Sequence, residues 1–167
     1  MKKILLFLLI LLFVFNPVFA EDENQDGPIA LGMGFGVGDF SMIGLQYQQW
    51  FGSHGIVVSA GLAEDQKCVL GGYEYCVYST SFTEILNSRL YVWIEGGADY
   101  LKYSEYSSVT DQTVEHSCVD AVAALGIGME FIWWNHLSVP VQFGYVAQFP
   151  NRSGMSFYFS SGVRYRI

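Results

Sequence analysis

The chain is short of positive charge, of proline and of long apolar runs, and each shortage excludes something. Eight Lys and Arg stand against sixteen Asp and Glu, too few to make the basic footprint of a nucleic-acid binder. Beyond residue 20 no stretch reaches the 18 or so apolar residues that a membrane-spanning helix needs. Four prolines against eighteen glycines suit strands that bend more than loops that stiffen. There is no CxxC and no His near the cysteines except His116, which leaves no basis for a metal site. HExxH, GxSxG and a phosphate-cradling glycine loop are missing too, and the glycines of "LGMGFGVG" alternate with bulky residues at strand spacing with no helix after them.

What is present is organised from the N-terminus. Lys2 and Lys3 precede an unbroken apolar run of twelve residues, Ile4 to Phe15. Asn16-Pro17 then breaks any helix, and Val18-Phe19-Ala20 offers small residues at cleavage spacing. Residues 1–20 therefore read as a cleaved secretory signal peptide, and the acidic stretch 21–28 as a disordered leader. Removing Lys2 and Lys3 leaves 6 basic against 16 acidic residues, a net charge of about −10. Residues 29–167 form one domain.

That domain alternates with period 2 almost throughout, the signature of strands. Ile29, Leu31, Met33, Phe35 and Val37 share one face with only Ala or Gly opposite, and Gly38-Asp39 makes a turn. Leu125, Ile127 and Met129 oppose Gly126, Gly128 and Glu130; Val139, Val141 and Phe143 oppose Pro140, Gln142 and Gly144. The last strand opposes Phe157, Phe159, Val163 and Tyr165 to Tyr158, Ser160, Arg164 and Arg166. Eight such segments are predicted; the two faces of the fourth, "YEYCVYSTSFTEIL", are not assigned. GSHG, NS and WNH are short connections, whereas 64–72 and 102–117 are predicted as long polar loops. Short turns on one side and long loops on the other are what an even-stranded barrel inserted in a membrane shows.

The faces opposite the apolar ones are glycine-rich, with Gln and isolated charges rather than the Lys, Thr and Glu of a wet sheet. Trp50-Phe51, Trp133-Trp134, Tyr103 and Tyr106 cluster near strand ends, where membrane interfaces select aromatics. The expected fold is all-β, an eight-stranded antiparallel up-and-down transmembrane barrel with its apolar faces outward, since only closed barrels let strands cross lipid with every backbone group paired. Gln46, Gln48, Tyr91, Trp93, Glu95, Asp99, Glu130, Gln142, Tyr158 and Arg164 then point inward. Glu95, Asp99, Glu130, Arg164, Gln46 and Gln142 form the expected interior polar network, with Arg164 neutralising Glu95 and Glu130 because an unpaired buried charge is costly. Cys68 and Cys76 are close enough in sequence to staple a loop by a disulfide; Cys118 is then free or pairs with either.

The signal peptide, the eight alternating strands and the aromatic-rich ending, with segments such as "GLQYQQWF" and "LSVPVQFGY", resemble the small bacterial outer-membrane β-barrels of the OmpA/OmpX type in the porin-like superfamily. The resemblance implies an outer-membrane location and a C-terminal strand read by the outer-membrane assembly machinery. Tyr165 matches that family's terminal pattern, whereas Ile167 stands where the family usually ends in Phe.

No catalytic residues are expected. Glu115, His116, Ser117 and Asp120 are the one cluster resembling a nucleophile and its base, but neighbours on a strand point to opposite faces. The expected role is structural or surface-interacting, with a plugged polar interior, no cofactor and a monomeric state. Lipid, the assembly machinery and an extracellular ligand held by 64–72 and 102–117 are the expected partners. The alternatives are a narrow ion or small-solute channel and, behind it, an outer-membrane enzyme modifying lipid A.

Overall fold

A computed structural model describes residues 29–37, 42–107 and 112–167; the expected signal peptide, acidic leader and Gly38-Asp39 turn lie outside them. The strands are β1 (Ala30–Val37), β2 (Met42–Phe51), β3 (His54–Leu62), β4 (Gln66–Thr83), β5 (Leu86–Ser107), β6 (Gln112–Trp133), β7 (Leu137–Phe149) and β8 (Gly154–Arg166). Each pairs antiparallel with the next and β8 returns to β1, so the eight strands close into a barrel. Gly52, Trp134 and Asn135 adopt the left-handed backbone that lets the turns after β2 and β6 reverse the chain tightly.

The register sets the barrel's shape. Register partners lead from Ala30 through Gln48, Val57, Gly72, Glu95, Ala124 and Val146 to Ser156. Val37 lies opposite Phe159, so Ser156 falls level with a point ten residue steps above Ala30. Such a stagger tilts the strands by about 40° and leaves an eight-stranded interior that side chains just fill.

The wall is inverted relative to a water-soluble barrel. Leu125 is 59% exposed, Ile94 57% and Phe157 56%, while Arg164, Glu130 and Glu74 are 0% exposed. Alternation alone produces this: along β7, Ser138, Pro140, Gln142, Gly144, Val146 and Gln148 are all buried, and the residues between them are not.

Two predicted loops are strand. Residues 64–72 reduce to a three-residue connection, 63–65, because β4 begins at Gln66. Within 102–117, β5 continues to Ser107 and β6 starts at Gln112, paired without a slip from Lys102↔Ser117 to Ser107↔Gln112. Polarity misled here, since a hairpin satisfies its backbone whatever its side chains face, and Tyr103, Tyr106, Thr113 and Val114 favour the extended state. The pairing of β7 stops at Ala121 and that of β4 at Leu101. The upper parts of β5 and β6 therefore rise as a two-stranded ribbon with no third strand among the described residues, tied at its foot by the Lys102 N–H to Asp65 O (2.8 Å) and by the Asn151 side-chain amide to Val119 O (3.1 Å). The two ends of the barrel differ more by this strand extension than by the length of their connections.

Candidate functional site

The interior is layered. At the base, where the tight turns lie, Arg164 donates from Nε to Gln46 Oε1 (3.1 Å). Its Nη1 stands 3.7 Å from Glu130 Oε1, and Arg166 Nη1 stands 3.9 Å from Glu130 Oε2. Glu74 accepts from Gln48 (2.5 Å) and from Gln142 (3.3 Å), and Gln142 accepts from the Ser160 hydroxyl (2.7 Å). Arg89 lies over the Trp50 ring, 5.0 Å from its centroid, and Trp50 meets Tyr91 edge-on.

An apolar layer closes the middle. Trp93 and Tyr158 pack edge-to-face with centroids 6.0 Å apart, among Leu70, Val122, Ala124 and Val146. Glycines of neighbouring strands make the room: a Cβ at Gly144 would stand 2.8 Å from Trp93, one at Gly36 2.8 Å from Tyr158, and one at Gly128 would collide with Tyr91. A water-sized cavity of about 20 Å³ remains against β1 and β2, lined by Gln46, Ser59, Leu70, Glu95, Gln142 and Tyr158.

At the opposite mouth Asp99 and Asp120 face each other across β5 and β6, an arrangement that repels unless bridged. Arg152, from the β7–β8 hairpin, bridges them: its Nε donates to Asp120 (2.9 Å) and its Nη2 to Asp99. Gln66 donates to Asp99 at 2.7 Å and Gln148 at 3.3 Å, and the Asn151 backbone N–H donates to Asp120 at 2.7 Å.

The six residues expected inside, Glu95, Asp99, Glu130, Arg164, Gln46 and Gln142, all face the interior, but not as one network. Arg164 pairs with Glu130, and among the described residues Glu95 makes no ion pair. Glu95 lies on β5 beside Gly72 and Ala124, whereas Arg164 lies beside Gly32 and Ser138 near the base. Asp99 belongs to the mouth.

Glu74, Arg89 and Arg152 join these groups without having been singled out in the sequence; Arg166 had been placed on the face of Arg164 and Asp120 beside His116, neither as a member of the interior network. Glu74 was hidden by the unassigned faces of β4, where the register slips between Cys76 and Tyr78. Arg89 could have been found by carrying the alternation of Tyr91 one step back along β5. All four arginines of the chain thus lie in the interior or its mouth, where a planar fork can serve several acceptors at once.

The expected Cys68–Cys76 disulfide is not formed, and all three cysteines are free thiols. Cys68 and Cys76 lie on one strand, β4, eight steps and so about 26 Å apart at ~3.3 Å per residue. A disulfide needs Cα atoms within about 7 Å. Proximity in sequence would have served only in the loop that turned out to be strand.

His116 stacks on Tyr103 across the ribbon, 5.5 Å between centroids, and Ser117 lies on the other face of β6. Among the described residues no three His, Cys, Asp or Glu side chains gather as a metal site.

No protein-family model and no curated protein matches the chain. Solved structures do. The N-terminal β-barrel domain of Pseudomonas aeruginosa OprF is similar at 12% identity, over 85% of this chain and 98% of that one, with a TM-score of 0.56. P. aeruginosa outer membrane protein H (OprH), solved in DHPC micelles, is similar at 13% identity, over 84% of this chain and all of that one, with a TM-score of 0.58. What the chain shares with both is the fold.

Proposed function

We propose that this chain is an integral outer-membrane β-barrel protein of a bacterium, non-enzymatic, with a structural or surface-interacting role and a plugged interior. The observation that carries the reading is the inverted wall: large apolar side chains exposed outside, arginines and carboxylates buried inside. In water such an exterior would be an aggregation surface far larger than a monomer tolerates. The thirteen residues of β7 rise about 30 Å at a tilt of about 40°, matching the hydrocarbon thickness of a bilayer.

The same filling disfavours conduction. Trp93, Tyr158, Leu70 and Val146 occupy the middle layer, and the space left there is water-sized. A surface role rests on the projecting ribbon, which carries Tyr103, Tyr106 and His116 beyond the apolar band. The fold of OprF and OprH supports the outer-membrane location.

The test is refolding of residues 21–167 from denaturant into lipid vesicles. Unheated and heated samples should migrate differently on a gel, and the folded protein should be silent in a planar bilayer. A monodisperse protein in detergent-free buffer would overturn the membrane reading, and reproducible openings would overturn the plug.

A further inference from the structure

Two lysines, Lys67 and Lys102, are the only ones beyond the signal peptide, and they lie together. Lys67 alternates with the buried Gln66 and Cys68 on β4, so it points outward. Lys102 lies three residues beyond the buried Asp99 on β5, on the outward face shared by Ala98 and Tyr100. Lys67 is level with Tyr100, which makes Lys67 and Lys102 diagonal neighbours on adjacent strands, about 7–8 Å apart. Two cations so close repel, and among the described side chains neither has a carboxylate within 4 Å. The outer edge of the apolar band runs through them: Leu62 is level with Lys67 and 66% exposed, Val69 follows at 59%, and Val119, level with Tyr100, is 60% exposed.

We infer that Lys67 and Lys102 form a clamp for the phosphate of an anionic lipid headgroup on the outer surface of the barrel. The inference rests on the lipid-facing reading of the wall. Lysine stems lie along apolar surface and lift the ammonium to the headgroup level, and two adjacent ammoniums need an anion between them. Among the described side chains none supplies it: the Asp65 backbone carbonyl accepts from the Lys102 N–H (2.8 Å), but the carboxylates of Glu64 and Asp65 in that adjoining turn form no ion pair with either lysine. The acidic excess of the chain would otherwise repel an anionic headgroup, so the attraction is confined to this one spot. The side-chain alternation aims both ammoniums at the ring of lipid around the barrel rather than at the mouth.

The experiment uses the barrel refolded in phosphatidylcholine vesicles containing trace spin-labelled phosphatidylglycerol or spin-labelled phosphatidylcholine, with the motionally restricted fraction read by electron paramagnetic resonance. The wild type should hold the anionic lipid more tightly, by about fivefold per lysine at low salt. K67Q/K102Q should lose that preference, and K67R/K102R should retain it. Equal association of both lipids with the wild type, or a preference unchanged in K67Q/K102Q, overturns the clamp while leaving the inserted barrel intact. Release of the label by inorganic phosphate, but not by chloride of equal ionic strength, would assign the site to free phosphate and overturn the lipid. Failure to insert at all would overturn both this inference and the membrane reading.

Discussion

The base and the mouth of the barrel handle buried charge in opposite ways. At the mouth one arginine, 27% exposed, binds two facing aspartates with short hydrogen bonds, and two glutamines and an asparagine complete the shell. At the base two buried arginines share Glu130 at 3.7 and 3.9 Å, while Glu74 is held by amides rather than by a cation. Dry carboxylates can be stabilised by one well-aimed fork or by many neutral donors and a more distant cation. The mouth can draw on solvent; the base cannot, so its members depend on one another.

That contrast predicts a hierarchy. Arg164→Ala should cost the most, about 3–5 kcal/mol of folding stability, because it leaves Glu130 buried with only the more distant Arg166. Urea unfolding in vesicles would measure it, and a cost below that of a mouth variant would break the comparison. Next, Leu125→Arg places an arginine at the same height as the plug but on the other face of the wall. It should cost about 2–4 kcal/mol, and insertion as good as wild type would show that the outer face does not meet lipid. Arg152→Ala should cost less, about 1–2 kcal/mol, since removing the partly exposed Arg152 lets water in to the buried aspartates it covers. Adding Asp99→Asn to Arg152→Ala should recover part of that loss by removing one of the facing charges, and no recovery would mean that Arg152 acts by packing alone. The smallest effect is a count: thiol titration of the unreduced, unfolded chain should return three free thiols, and one alone would restore a disulfide.

Much of this was legible along the chain, and the reason is local. A strand's faces follow from residue parity, so Leu125 outside and Glu130 inside could be read from "LGIGME" without knowing any partner. Parity failed where the backbone departs from it. The slip between Cys76 and Tyr78 left β4 unreadable and hid Glu74, one of the best-bonded carboxylates of the base. Polarity failed at 102–117, because whether a polar stretch is loop or strand depends on a partner strand's being in register. The pairing of Arg164 was half legible: its inward direction followed from parity, but the choice of Glu130 over Glu95 depends on the barrel's stagger.

The sequence by itself determined the eight alternating segments, the apolar outer face and the polar inner one, because each is a property of consecutive residues in an extended chain. Only the tertiary structure decided which charges meet, how far the ribbon rises above the rim, and that Cys68 and Cys76 stay apart. It also decided that Lys67 and Lys102, thirty-five residues apart in sequence, become neighbours. Those outcomes depend on the closure and stagger of the barrel, and register between strands is a relation no single segment contains.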